Sequence, residues 1–481
     1  MDEKKLNMFA RKTVKIISQE IKLNFLYPFK NKTTTKSVGT GFFIDKEGHI
    51  LTCSHVIEDS KSILVEIPYL GDKKIEVDVL GLCPELDLAI LKTRNYLPKD
   101  YYNLHERDYV YSVKPSSEVY AIGFPLAQKN LKFTRGVISG REDGLIQTDA
   151  PINRGNSGGP LMLDDKVIGI NTSGIDNVNN IGYATPISYY YVFKKQLFTK
   201  ANLFRMPSFG IKVQTATEEM VPKGKSGVYV RHLFKKANIA KTGIRVGDIL
   251  TQIDSHKIDN FGLIDRQWFN EKMTIGDYLK TILDGDAIKI VFYRGAKKFT
   301  KTFNFSEPVP IFAIKKIFPI WDKKTLDYEV FGGLVVMELT NNHLDFLLNY
   351  IEKTIKKNGI SFPNNNALKY LFKKNKEEPR LILTKVLQNS FIDRYDVLSD
   401  FEIITRINNT PVSTVSEYRR AVLKNRKTFS IETELDKKLV VSMKPLIAEE
   451  PIFSQTFKYP LGKIYANLVR HKKTKKKKKL L

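Results

Sequence analysis

The stretch QTDAPINRGNSGGP, Gln147 to Pro160, decides how this chain is read. A serine hydroxyl is a poor nucleophile unless a base takes its proton and donors await the oxyanion. A loop built for that chemistry must therefore turn backbone N–H groups toward one point. Gly155, Gly158 and Gly159 permit such a path, because glycine adopts backbone angles closed to other residues. Ser157 is then the candidate nucleophile, and the N–H groups of Gly155, Asn156 and Ser157 are the candidate oxyanion donors. A glycine-rich loop alone would be an ordinary turn. The complete GNSGGP run, with Asp149 and Ala150 shortly before it, makes it a candidate site.

A nucleophile of this kind needs a base upstream. Among the seven histidines, His55 in HILTCSHVIEDS sits at the end of a strand-like run, with SVGTGFFID before it and Val56 and Ile57 after it. The imidazole in turn needs a buried carboxylate to hold its tautomer and stabilise its charge. Asp87 in LGLCPELDLAILK is preferred to Glu85 and Asp78 because it begins the apolar run LAILK, where a carboxylate is otherwise unexpected and would be buried. The chain order His, Asp, Ser is that of the chymotrypsin-like double β-barrel and differs from the subtilisin and α/β-hydrolase orders.

Outward from these residues, Arg11 to Ile187 reads as short apolar or alternating runs separated by Gly, Asn, Asp and Pro, among them TVKIIS, SILVEI, SEVYAIGFP, GVISG, LIQTDA and KVIGINT. Such spacing predicts an all-β barrel or sandwich. The helical stretch ISYYYVFKKQLFTK closes the unit. After it, FGIKV, GVYVRHLF, GDILTQIDSHKI and AIKIVFYRG predict a compact α+β module ending near Glu307, and the proline-bearing SEPVPIFAIKKIFP reads as a linker. A second module from about Tyr328 to Pro445 repeats the pattern, with GGLVVMEL as a strand, HLDFLLNYIEKTIKK as an amphipathic helix and INNTPV echoing IDSHKI. The expected division is an extension over 1–10, a protease-like domain over 11–200, a first module over 201–307, a linker with a divergent second module over 308–450, and an extension with a basic tail over 451–481.

Length and composition agree with this division. A working figure of ~150 residues per domain gives about three domains for 481 residues. Hydrophobic residues at 42% and charged residues at 27% exclude a wholly disordered chain. The N-terminus mixes acidic and basic residues without an apolar core ahead of a cleavage site, and no run of about 18 apolar residues occurs, so neither a secretory signal nor a spanning helix is expected. Cys53 and Cys83 are too few for a disulfide scaffold and read as buried thiols in a reducing, intracellular setting. The net charge of +26 would attract polyanions; Lys472, Lys473 and Lys475 to Lys479 supply part of it, and the remainder is spread as a solvated surface. No nucleic-acid-binding motif accompanies that charge, and the tail is expected to be disordered and to bind polyanions weakly.

Through SVGTGFFID, ILTCSHVI, LDLAILK, YAIGFP, TRGVIS, IQTDAPINRGNSGGPL, VIGINT and NIGYATP the chain closely resembles the HtrA (Deg/Do-like) family of serine proteases with PDZ domains. LNFLYPF and VFGGLVVMEL resemble its eukaryotic Deg-like branch without a secretion signal, while Cys53 departs from the family's usual Asn or Ala. The resemblance implies a mostly β fold: a chymotrypsin-like double β-barrel followed by two PDZ-like domains. It implies an endopeptidase acting without a cofactor or metal on unfolded or regulatory proteins, with His55 as general base, Asp87 as its orienting acid and Ser157 as nucleophile. It further implies a substrate pocket lined by Ile152 and Ile181, selective for small or medium aliphatic side chains, and a carboxylate-binding loop at Phe209, Gly210 and Ile211. The second module, around Gly332-Gly333-Leu334, departs further and is expected to serve assembly, in a homo-oligomer built on trimers.

Overall fold

The computed structural model describes the chain except for residues 1–2, 31–32, 72, 105–112, 175–179, 198–201, 269–270, 319, 323–325, 359–365 and 479–481. It divides into two units, Met1–Ile21 with Thr34–Ile311, and Lys22–Thr33 with Phe312–Leu481.

In the first unit, helix α1 (Glu3–Lys12) leads into six strands, β1 (Thr13–Lys22), β2 (Thr33–Phe43), β3 (His49–Thr52), β4 (Ser60–Glu66), β5 (Lys74–Cys83) and β6 (Leu88–Thr93). They close in the order β1-β2-β3-β6-β5-β4, with Ile16 opposite Val65 at the seam. Alternation dictates the closure: Val14, Ile16 and Ser18 of TVKIIS all point inward, and a closed sheet leaves no edge unpaired. The stretch expected as an extension belongs to this barrel, because Phe9 of α1 is buried and its ring stacks on Tyr102 at 5.9 Å.

Six further strands, β7 (Glu118–Gly123), β8 (Lys132–Glu142), β9 (Leu145–Thr148), β10 (Pro160–Leu163), β11 (Lys166–Gly174) and β12 (Gly182–Pro186), form a second closed barrel in the order β10-β11-β12-β9-β8-β7. Its core holds Val119, Ala121, Ile138, Ile146, Leu161, Ile168 and Ala184. Helix α2 (Ser188–Leu197) follows. Then come β13 (Ile211–Thr215), β14 (Val228–Leu233), β15 (Ile249–Ile253), β16 (His256–Lys257), β17 (Leu263–Trp268), β18 (Glu271–Thr274), α3 (Ile275–Leu279), β19 (Ala287–Arg294) and β20 (Lys297–Asn304). The sheet of this first module runs β13-β14-β15-β19-β20, with β13 at an edge, β16 on β15, and β17–β18 as a separate hairpin.

The second unit comprises β21 (Tyr328–Phe331), β22 (Leu334–Glu338), α4 (Asn341–Asn358), β23 (Leu381–Val386), β24 (Glu402–Ile407), β25 (Thr410–Pro411), α5 (Val415–Lys424), β26 (Thr428–Thr433), β27 (Lys438–Ser442), α6 (Met443–Phe457) and α7 (Lys463–Lys478). Its sheet runs β21-β22-β23-β24-β26-β27. Helix α5 begins at a capping box, Thr414 accepting from the Glu417 N–H while the Glu417 side chain reaches back.

Three expectations are corrected here. The stretch over 451–481 is no separate extension: Ile464 and Leu468 are buried in the same core as Phe331, Val336 and Tyr418. The lysine-rich end is helical as far as Lys478 rather than unstructured, because it continues α7 from that buried anchor. Residues 22–33, placed by sequence within the barrel domain, belong to the second unit: Phe25 and Leu26 pack beside Leu344 and Ile382, and Phe29 lies 5.2 Å from the Tyr459 ring. Among the described residues no helix is long and apolar enough to cross a membrane.

Candidate active site

Strands β3 and β6 are neighbours, with Thr52 opposite Ala89. His55 lies just past that pair on one strand and Asp87 just before it on the other, so antiparallel pairing brings both to the same end of the first barrel. His55 sits in a short 3-10 turn, Ser54–Val56, and Asp87 caps another, Pro84–Leu86, in the left-handed region at φ 49°. The imidazole Nδ1 lies 2.8 Å and 2.9 Å from the two Asp87 oxygens, and the His55 backbone N–H donates to the same carboxylate at 3.0 Å. A carboxylate only accepts, so Nδ1 carries the proton and Nε2 keeps its lone pair. The Thr172 hydroxyl, from β11 of the second barrel, also donates to Asp87. Burial pushes the Asp87 carboxyl up, but the hydrogen bonds and charge of His55, with Thr172, outweigh it and hold its pKa below the ordinary value.

Ser157 arrives from the loop between β9 and β10. Its hydroxyl donates to the Thr172 carbonyl at 2.7 Å, so Thr172 touches the nucleophile through its backbone and the acid through its side chain. Within the loop, Asn156 N–H donates to Asn153 O at 2.9 Å, Gly158 N–H to Asn171 O at 2.7 Å, and Gly159 N–H to Asn156 O at 3.0 Å. The Arg154 carbonyl accepts from Leu126 N–H at 2.6 Å. Among the described residues no hydrogen bond engages the N–H groups of Gly155 and Ser157. Asn156 is thereby corrected: its N–H is committed to the turn and does not serve as an oxyanion donor. Gly155 is required twice over, since its φ is +101° and a Cβ there would stand 2.2 Å from the Phe124 carbonyl.

Ile152 is buried in the second barrel's core and Ile181, half-buried, immediately precedes β12. Ile152 packs against Gly182, the residue after Ile181, where an added Cβ would lie 2.9 Å from the Ile152 Cδ1. Thr172 and Thr40, which both touch this loop, were not singled out in the sequence, because a threonine within a strand is ordinary and carries no signal.

In the first module, the Phe209 ring lies tilted against Phe303 at 6.1 Å, Gly210 takes φ +83°, and Ile211 opens β13 opposite Leu233. The Gly210 N–H is turned to the Ser208 hydroxyl at 3.2 Å. In the second module, β22 is flanked on both sides, by β21 and β23, so the strand following Gly332-Gly333 has no open edge. The Gly332 N–H donates to the buried Glu450 carboxylate at 2.7 Å, and Tyr459 donates to the other oxygen at 3.0 Å.

Comparison with known proteins agrees with this fold. A trypsin-like peptidase domain matches residues 39–170, and a PDZ domain matches residues 320–457. The chain is 24% identical over 463 residues to a putative protease Do-like 3, mitochondrial, of Arabidopsis thaliana, covering 91% of this chain and 76% of that protein. It is 32% identical over 241 residues to a probable periplasmic serine endoprotease DegP-like of Pseudomonas fulva, covering 46% of this chain and 48% of that one. The chain thus spans about half the length of that bacterial relative. A solved structure of an HtrA-type protease, a variant of AlgW with decapeptide, superposes with a TM-score of 0.50 at 22% identity, over 63% of this chain and 99% of that one, a likeness of fold.

Proposed function

We propose that this chain is an HtrA-type serine protease, a trypsin-like peptidase domain followed by a PDZ domain, and that it cleaves peptide bonds of unfolded or regulatory proteins through His55, Asp87 and Ser157. The observation that carries the reading is the carboxylate of Asp87, which accepts from both the imidazole Nδ1 and the His55 backbone while Thr172 joins it to the Ser157 hydroxyl. His55 Nε2 takes the Ser157 proton as Oγ attacks the scissile carbonyl. The N–H groups of Gly155 and Ser157 receive the oxyanion, and Asp87 stabilises the imidazolium that forms. His55 then returns the proton to the leaving amine, and water attacks the acyl-enzyme by the reverse route.

In this arrangement the hydroxyl lies on the Thr172 carbonyl, and passing its proton to His55 requires it to leave that bond. The open edge of β13 supports capture of an extended peptide as an added strand in the first module, with a ligand carboxylate displacing Ser208 from the Gly210 N–H. The doubly flanked β22 favours a role in assembly for the second module. Following the family resemblance, we take the assembly to be built on trimers, the protein to work inside the cell, and the lysine-rich end of α7 to add weak polyanion binding.

Labelling of the purified full chain by a fluorophosphonate probe tests the reading. Wild type reacts, Ser157→Ala does not, and Ser157→Ala no longer hydrolyses casein. Hydrolysis at the wild-type rate by a contaminant-free Ser157→Ala preparation overturns it.

A further inference from the structure

Among the described residues, the loop that carries Ser157 is hydrogen-bonded to the first barrel through one residue. Thr40, in the middle of β2, is fully buried, and all four of its polar functions are engaged around that loop. Its N–H donates to the Ser157 carbonyl at 2.8 Å, and its hydroxyl donates to the Gly155 carbonyl at 2.6 Å. The same hydroxyl accepts from Phe124 N–H at 3.1 Å, and its carbonyl accepts from Thr52 Oγ1 at 2.8 Å. Gly39 lets the strand come this close, since a Cβ there would stand 3.3 Å from the Ser157 carbonyl and 2.5 Å from Val56.

The consequence lies in which peptide planes these bonds fix. The Gly155 N–H belongs to the Arg154–Gly155 peptide, whose carbonyl is tied to Leu126. The next plane, Gly155–Asn156, is tied to Thr40 at its carbonyl and to Asn153 at its N–H. The hinge between the two planes is Gly155, a glycine at φ +101° with little intrinsic resistance to rotation. Beyond Ser157, the Ser157–Gly158 plane is held at its carbonyl by Thr40 and at its N–H by Asn171. Thr40 therefore holds the plane between the two unengaged N–H groups and the plane beyond the second. Through its hydroxyl it supplies the restraint on the flexible glycine that the first barrel contributes.

We propose that Thr40 is a positioning residue for the oxyanion site, its hydroxyl locking the Gly155–Asn156 peptide so that the Gly155 and Ser157 N–H groups point at the developing charge. This rests on the proposed function above. A donor aimed by a fixed frame acts only as negative charge develops, so loss of the frame weakens transition-state binding and leaves ground-state binding of the substrate in place.

The test compares Thr40→Val, which keeps the shape and removes the hydroxyl, with Thr40→Ser, which keeps the hydroxyl, in the full-length protein. Concentrations are normalised to folded protein by circular dichroism. Thr40→Val is expected to lower kcat on a peptide substrate by about 10²-fold with KM unchanged. Its affinity for a peptide boronate is expected to fall by a similar factor, while affinity for the uncleaved substrate, measured in a Ser157→Ala background, stays as it was. Thr40→Ser is expected to restore kcat to near wild type. Wild-type kcat in Thr40→Val, a loss carried by KM, or equal impairment of Thr40→Ser and Thr40→Val would each overturn the proposal. If Thr40→Val does not fold, Thr40→Ala carries the same comparison at a temperature where it is folded. Wild-type hydrolysis and probe labelling are measured alongside, so failure of the protease reading appears there and failure of the Thr40 assignment only in the variants.

Discussion

Replacing Asp87 by Asn removes one charge and keeps the shape, so its effect can be worked from the bonds in place. The carboxylate accepts His55 Nδ1–H, the His55 backbone N–H and the Thr172 hydroxyl. An amide has one accepting oxygen. If that oxygen faces the His55 backbone, the NH2 group stands at the position 2.8 Å from Nδ1 and donates to it, which moves the ring proton to Nε2 and removes the base. If the amide is reversed, a donor faces the His55 N–H and the charge that stabilises the imidazolium is still gone. A wrong tautomer at a triad of this type costs about 10⁴ in turnover, or roughly 5 kcal/mol of transition-state stabilisation. Glu85→Gln is the matched control, because Glu85 makes a partly exposed ion pair with Arg205 at 3.3 Å, an interaction worth about 0–1 kcal/mol, and accepts a long bond from the Cys83 thiol at 3.8 Å. Turnover of a quenched peptide per folded enzyme, at fixed pH, measures both. An Asp87→Asn enzyme within tenfold of wild type, or a crippled Glu85→Gln, would refute the assignment of the acid.

Glu450 should make the terminal module pH-sensitive. Burial raises its pKa from 4.5 to about 7 against the opposing bonds from Gly332 and Tyr459, with Glu329 adding to the rise. The protonated form is then favoured on folding: stability is greatest below the unfolded value, falls as pH rises toward about 7, and is lower by about 3 kcal/mol at pH 8. Glu450→Gln should accordingly raise Tm more at pH 8 than at pH 5, and equal shifts at both would count against it. Phe29→Ala, which removes a ring from beside Tyr459 and Tyr328, should cost about 2 kcal/mol in the terminal module, and hydrogen exchange should place the loss in β21 and α7 rather than in the barrels. If Ile152 and Ile181 line the substrate pocket, as the resemblance implies, a peptide-library profile should favour Val, Ala or Ile before the cleaved bond, and a profile dominated by Lys or Arg would refute that pocket.

The barrels were legible because their sequence is periodic. Runs such as TVKIIS alternate, glycines and prolines punctuate them, and the nucleophile loop needs residue types that few other loops require. Thr172 was not legible, although it touches both Asp87 and Ser157, because its role depends on which strand faces which across two barrels. Asn156 shows the converse. Its place inside GNSGGP suggested a donor, yet an N–H adjacent to two usable ones is also the group best placed to close the turn that presents them.

The second unit was misdivided for a different reason. The residues from 22 to 33 are flanked on both sides by strands of the first barrel, so sequence proximity assigned them there, while their apolar side chains pack with residues more than three hundred positions away, as in the bond from the Thr384 hydroxyl to the Leu26 carbonyl at 3.1 Å. Four aromatic and aliphatic residues in a row, Phe25, Leu26, Tyr27 and Phe29 around Pro28, are too apolar for an exposed hairpin tip. A loop of that composition must be buried against something, and only the fold identifies the partner. The same logic applies to the far end of the chain. Ile464 and Leu468 sit four apart, the spacing of one helical face, and a tail with such a face upstream of its lysines is anchored before it is charged. The basic end is therefore presented from a fixed point on the terminal module.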